Sequence, residues 1–326
     1  MNVLQKLIGV MGIIFASASA QAYIYESAFY NLGKDYLRQV GRLGTDNLRS
    51  LPSGEREKCQ SRYERILNDG VIDIRIIIGY FDWTTGSQIY SSGRNYGYSP
   101  SIDPGAYRAL REIITSRCPG EAEFCEFSAD GPYKYSKSVI NQGRRYLARV
   151  EIVFASVSEY YSANTGRYSS EQQQRSQAAL AAFNSALKNA DAVFYFGHSR
   201  NGGGPDFNPP IFKPGTNKVD YSGYYKPQRP GYRKLISVLS SSDRKPSILG
   251  LMSCDSRDHF LSGLKKVAPR MGVISSKDVL KVDGVYTALI GASDAILRGQ
   301  CQRGFLESIR RTSFNRQYIT MDRMFE

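Results

Sequence analysis

Two short, almost wholly apolar runs constrain this chain more than anything else in it. Ala192 to Phe196 (AVFYF) leads into Gly197, His198, Ser199, Arg200, Asn201 and three glycines at 202–204. Ser247 to Met252 (SILGLM) leads into Ser253, Cys254, Asp255 and Ser256. Each has the length and composition of a strand buried on both faces, and each follows a helix-like stretch, ending near Asn189 and Ser240. Such strands, separated by helices, belong to a parallel sheet built with right-handed crossovers. A further short strand at Gly272–Ser275 and a helix over Val285–Leu297 continue the alternation. The expected fold class is α/β: a mostly parallel sheet with helices on both faces, an N-terminal helical segment and a β-hairpin.

Neighbouring parallel strands end on the same edge of a sheet, and ligands bind outside those carboxyl ends. His198 and Cys254 occupy equivalent places, each just past a buried run and its first small residue. A sulfur nucleophile facing an imidazole that can take its proton is the minimum equipment for thiolate catalysis. A lone cysteine is most often a small buried hydrophobe, so the shared placement of the pair carries the assignment, not either residue alone. The interval between them holds one loop, one helix and one strand, and fits a histidine roughly 50 residues upstream of a catalytic cysteine.

These two blocks resemble the caspase, metacaspase, legumain and gingipain group of cysteine peptidases. In that group a hydrophobic strand ends in His-Gly, and a second ends in a small residue and the nucleophilic Cys. The metacaspase forms are nearest in texture to Tyr195, Phe196, Gly197, His198 and to Ser253, Cys254, Asp255, Ser256. The resemblance covers Asp191 to Leu297. It implies a caspase-like sheet, a Cys254–His198 dyad that hydrolyses peptide bonds, and an oxyanion hole from the backbone N–H groups of Cys254 and Ser199. Ser199 stands where the group has Gly. No cofactor is implied, and no third catalytic residue is assigned. Asp255 and Asp258 read as helix-start residues. A second reading is a catalytically silent, envelope-binding protein on the same fold.

The N-terminus reads as a secretory leader over residues 1–22. Lys6 supplies its charge, Leu7 to Phe15 its apolar run, and Ala18-Ser19-Ala20 or Ala20-Gln21-Ala22 a cleavage site. The run is too short to span a bilayer. An exported protein, periplasmic or extracellular, is the expectation. The net charge of +13 favours an anionic envelope surface as a partner alongside a protein or peptide substrate. The basic residues are dispersed and no nucleic-acid motif accompanies them.

Five cysteines in an oxidising compartment leave one over. Cys118 and Cys125 close a short loop, which would leave Cys59 to Cys301; the alternative pairings stay open. Cys254, ending an apolar strand, is the expected free thiol. Two histidines, with no finger-like Cys spacing, argue against a metal site. Gly197-His198-Ser199 lacks the glycine and the immediate helix that a Gly-x-Ser-x-Gly nucleophile elbow requires, since Pro205, Pro209 and Pro210 follow.

Along the chain, residues 23–70 read as helical, with Val71–Phe81 as a buried strand. Asp82–Gly105 reads as a long irregular loop, followed by a helix opened by Asp103-Pro104. A hairpin is expected between Phe124–Phe127 and Tyr133–Val139 across Asp130-Gly131, then a strand over Tyr146–Val157. The α/β region is read as 71–302 and a basic tail as 303–326. The loop from Pro205 to Gly231, rich in Pro, Tyr and Gly, is placed as one wall of the cleft.

Overall fold

The computed structural model describes residues 26–80, 102–156 and 169–326 except 212, 215, 217 and 226, with a short strand pair at 89–90 and 93–94. A helix over 26–40 (α1) and α2 (Ser53–Leu67) precede β1 (Val71–Ile78). The pair β2 (Ile89–Tyr90) and β3 (Gly93–Arg94) lies in the long loop before α3 (Ile102–Thr115). Then come β4 (Ser128–Ala129), β5 (Lys134–Asn141), β6 (Arg144–Phe154), α4 (Ser169–Asn189) and β7 (Ala192–Phe196). They are followed by α5 (Pro230–Ser241), β8 (Ile248–Met252), α6 (Ser256–Val267), β9 (Gly272–Ser276) and α7 (Val282–Leu297). Helices α8 (Gln302–Ile309) and α9 (Ser313–Tyr318) and strand β10 (Ile319–Asp322) complete the chain.

The main sheet has eight strands in the order β10-β9-β8-β7-β1-β6-β5-β4. The five inner strands, β9 to β6, run parallel, and β10, β5 and β4 pair antiparallel at the margins. This α/β arrangement is consistent with a caspase-like fold. Side-chain alternation splits the core in two. Ile72, Ile74, Ile76, Phe194, Phe196 and Met252 pack on one face with α1, α2, α3, α7 and α8. Ile77, Val193, Tyr195, Leu249 and Leu251 pack on the other with α4, α5 and α6.

The N-terminal helical segment is part of the first core layer. Phe29, Tyr36, Leu37 and Val40 are buried, and Tyr36 donates to the Ser308 carbonyl at 2.6 Å. Cys59 of α2 is disulfide-bonded to Cys301 at the start of α8, Cys118 to Cys125, and Cys254 is the free thiol. The 303–326 segment carries the rest of α8, α9 and the edge strand β10. No helix among the described residues is long and apolar enough to cross a membrane; together with the two disulfides this is compatible with an exported chain. The expected leader at 1–22 lies outside the described residues, as does most of the 82–105 loop.

The hairpin differs from the expectation. Phe124–Phe127 forms no strand; it lies at the end of the Cys118–Cys125 loop. A two-residue β4 meets β5 across Asp130-Gly131, but the long hairpin joins β5 to β6 at Gln142-Gly143. Both turn residues have positive φ, 49° and 78°, the conformation a two-residue hairpin requires at both positions.

Asp191 ties three strand starts together at the opposite edge from His198. Its carboxylate accepts from the Asp73 N–H and from Arg244 Nη2, each at 2.9 Å, and its carbonyl accepts from Ser247 N–H. Burial pushes its pKa up to about 7, against the Asp73 N–H and Arg244. A carboxyl raised in the folded state stabilises fully below its unfolded pKa and loses that contribution as pH rises through the folded value. Stability is therefore expected to fall between about pH 4 and 7, by at most about 4 kcal/mol from this group. Thermal unfolding of wild type and Asp191→Asn across that window checks this: the variant should lose the slope, and a retained slope would assign it elsewhere.

Candidate active site

The register sets the geometry. Strands β7 and β8 are adjacent and parallel, with Phe196 opposite Met252, and Gly197 N–H donates to the Met252 carbonyl at 3.3 Å. His198 and Cys254 each lie two residues beyond that last pair. Phe196 and Met252 point into the same core layer, and each candidate sits in the turn that leaves its strand just beyond that pair. The two candidates therefore share one edge and one register step.

Both turns are built to hold these residues in place. The buried Tyr195 hydroxyl donates to the His198 carbonyl at 2.8 Å and accepts from Asp206 N–H at 3.0 Å, pinning the turn from the far side of the sheet. Arg200, itself buried, pairs with Asp206 at 3.0 Å and reaches the carbonyls of Tyr80 and Asn208. After Cys254, Asp255 takes φ 49° and α6 starts at once. Four of the seven non-glycine residues with positive φ among those described, Arg200, Asn201, Arg229 and Asp255, lie in these turns and the loop leading to α5. Such conformations cost of order 1–3 kcal/mol each and concentrate where function over-determines the backbone.

The glycine run has a steric reason. Gly204, at φ 112°, backs onto the Gly231–Tyr232 peptide so closely that a side chain could not fit, and Gly202, at φ 85°, faces the His259 ring. His259 is thus packed against the glycine turn, and Ser199 is buried. Among the described residues, neither the Ser199 nor the Cys254 N–H donates to another residue's backbone oxygen, and the Cys254 N–H acts on its own sulfur.

The surroundings of the thiol raise its pKa. Burial pushes it above the ordinary value, with Asp255 and Asp278 adding in the same direction. The Leu280 N–H, which donates to Cys254 Sγ at 3.4 Å, works against this, and the thiol in turn points at the Leu280 carbonyl at 3.9 Å. The loop between β9 and α7 is held to the site by a second bond, Asp255 N–H to the Asp278 carbonyl at 3.1 Å. The half-buried sulfur thus sits in surroundings that disfavour its ionised form.

Three contributors escaped the sequence reading: the Tyr195 hydroxyl, the Arg200–Asp206 pair and the Leu280 backbone. Arg200 and Asp206 carried a signal, opposite charges six residues apart in the turn that follows His198. A backbone contact such as that of Leu280 carries none. Asp255 accepts the His259 N–H at 3.0 Å through its carbonyl, and its side chain caps nothing; Asp258 lies in the first turn of α6, where its charge suits the helix N-terminus.

No protein-family model, no curated protein and no solved structure matches the chain. The chemistry of the site therefore rests on its own geometry. A cavity of about 850 Å³ lies elsewhere, beyond α2 and the end of β10, lined by Leu51, Pro52, Lys58 and Met321–Glu326, so size of cavity does not point to the pair.

Proposed function

We propose that this chain is an exported cysteine endopeptidase with Cys254 as nucleophile and His198 as general acid and base. The observation that carries the reading is the matched placement of the two residues at the carboxyl ends of adjacent parallel strands, each beyond the Phe196–Met252 pair. The resemblance to the caspase and metacaspase group points the same way. Cys254 Sγ attacks the substrate carbonyl carbon as its proton passes to His198. The N–H groups of Cys254 and Ser199 hold the developing oxyanion. As the C–N bond breaks, His198 returns the proton to the leaving amine. Water, deprotonated by His198, then hydrolyses the thioester and restores the thiol. Because burial and the Asp255 and Asp278 carboxylates raise the thiol's pKa, His198 takes the proton as attack proceeds.

The raised thiol pKa and the serine at position 199 favour one second reading, a silent binding protein of the envelope on this fold. A peptide library drawn from a digested proteome separates the two. Cleavages made by wild type and missing from Cys254→Ala support the peptidase; no cleavage by either, with a ligand retained by both, supports the binding protein.

A further inference from the structure

A different part of the molecule gathers four arginines around one cavity. It lies at the edge of the sheet opposite Cys254, where α2 passes the starts of β8 and β9 and the end of β10. Ser61, Arg62, Arg65, Pro269, Arg270, Arg323 and Glu326 line a space of about 300 Å³. The chain brings them from three distant segments, so no charge run marks the place in the sequence.

The arginines divide by role. Arg62 is 3% exposed. It donates to the carbonyls of Met324, Ser247, Arg270 and Arg323 at 2.5–3.0 Å. It is a fixed structural charge under the cavity floor. Arg65 and Arg323 each spend one nitrogen on a carbonyl, Nη1 to Arg270 and Nη1 to Pro269, which leaves further N–H groups on both forks. Arg270 is exposed. The one carboxylate among the lining residues is Glu326, whose Oε2 lies 3.8 Å from Arg323 Nε.

We propose that this cavity is a binding site for a phosphate group, either a free phosphate or the headgroup of an anionic lipid. Planar guanidinium forks match tetrahedral oxyanions in charge and bidentate geometry. Four cations against one carboxylate leave an excess of positive charge that an anion neutralises. The crowding of positive charge shows in the same residues. Burial and then the charge of Arg65 push Arg62 down to about 9, and burial and then Arg270 lower Arg65. Arg62 remains cationic at neutral pH. The volume of about 300 Å³ admits a phosphate or a pyrophosphate and not a folded polymer.

The test uses Arg65→Ser/Arg270→Ser, which leaves Arg62 and its four carbonyl bonds intact. The control is Arg38→Ser/Arg144→Ser, two exposed arginines elsewhere that remove the same charge. Thermal unfolding without added anion should match wild type for both. Inorganic pyrophosphate, titrated calorimetrically at constant ionic strength, should bind wild type and the control at one site and bind the cavity variant at least about tenfold more weakly. Equal weakening in the control, or binding to wild type no tighter than that of acetate, would overturn the site and reduce the effect to general charge. Phosphatidylglycerol vesicles identify the source. Sedimentation lost only in the cavity variant assigns the phosphate to a headgroup. Sedimentation equal in the two variants, with pyrophosphate still selective, assigns it to a free phosphate. Both outcomes support the site.

Discussion

Cys254→Ala is expected to abolish peptide-bond hydrolysis, and His198→Ala to reduce it by at least about 10³-fold, with little change in substrate binding. The size follows from the chemistry. Without the sulfur no thioester forms. Without the imidazole the thiol must lose its proton unaided, in a place where burial and the Asp255 and Asp278 carboxylates oppose that loss. The double variant should be no worse than Cys254→Ala, because the two side chains act as one unit and their effects do not add. Both substitutions are at half-exposed positions at strand ends, so their unfolding midpoints should stay near that of wild type. Initial rates on a cleaved peptide check the prediction. Substantial hydrolysis by Cys254→Ala would remove the cysteine mechanism.

The second large effect concerns stability. Asp294 and Arg298 of α7 form an ion pair at 2.8 Å with side chains 0% and 2% exposed. Asp294 also accepts from the N–H groups of Glu123 and Phe124 at 2.6 and 3.2 Å, which clamps the Cys118–Cys125 loop onto α7. Arg298 donates to the carbonyls of Leu43 and Val40 at 2.7 and 3.3 Å, which clamps the end of α1. Removing one partner leaves the other charge buried without compensation, a loss of about 3–5 kcal/mol. Asp294→Ala is therefore expected to destabilise by that amount in urea unfolding, and to speed proteolysis near residues 41–46. A loss below about 1 kcal/mol would mean that the pair is not the joint between these elements. The joint also bears on the site, since the β9–α7 loop that holds the Cys254 sulfur runs directly into the other end of α7.

How far these features could be read from the sequence depends on their range. Strands β7 and β8 were legible because a strand buried on both faces must be apolar throughout, and their shared edge followed from parallel pairing. The placement of His198 and Cys254 came with them. The odd cysteine number showed that one thiol is free, and the place of Cys254 at the end of an apolar strand showed which. The β5–β6 hairpin was not, because Gln142-Gly143 is a weak turn signal beside Asp130-Gly131. Strand β10 was hidden in ITMD, a short edge strand of mixed polarity. Asp294 and Arg298 have the i, i+4 spacing of a helix-surface pair, and only the apolar run that holds Asp294 and ends at Arg298, Val285 to Leu297, marks them as buried. The direction of the Cys254 shift and the arginine cavity depend on contacts between residues far apart in the chain, and no local pattern encodes them.

The most direct test of the dyad is the rate at which iodoacetamide alkylates Cys254, followed by peptide mass from pH 5.5 to 9 in wild type and His198→Ala. In the variant the thiolate fraction should fall about tenfold per pH unit below a pKa that exceeds the ordinary ~8.5. In wild type the proton can move from sulfur to imidazole without leaving the protein, and that exchange does not depend on pH between the two ionisations. The wild-type rate should therefore level off between about pH 6.5 and 8, while the variant keeps falling. The same tenfold fall per unit in both proteins, with Cys254 reacting in each, would show that His198 does not share the proton of Cys254 and would contradict the account.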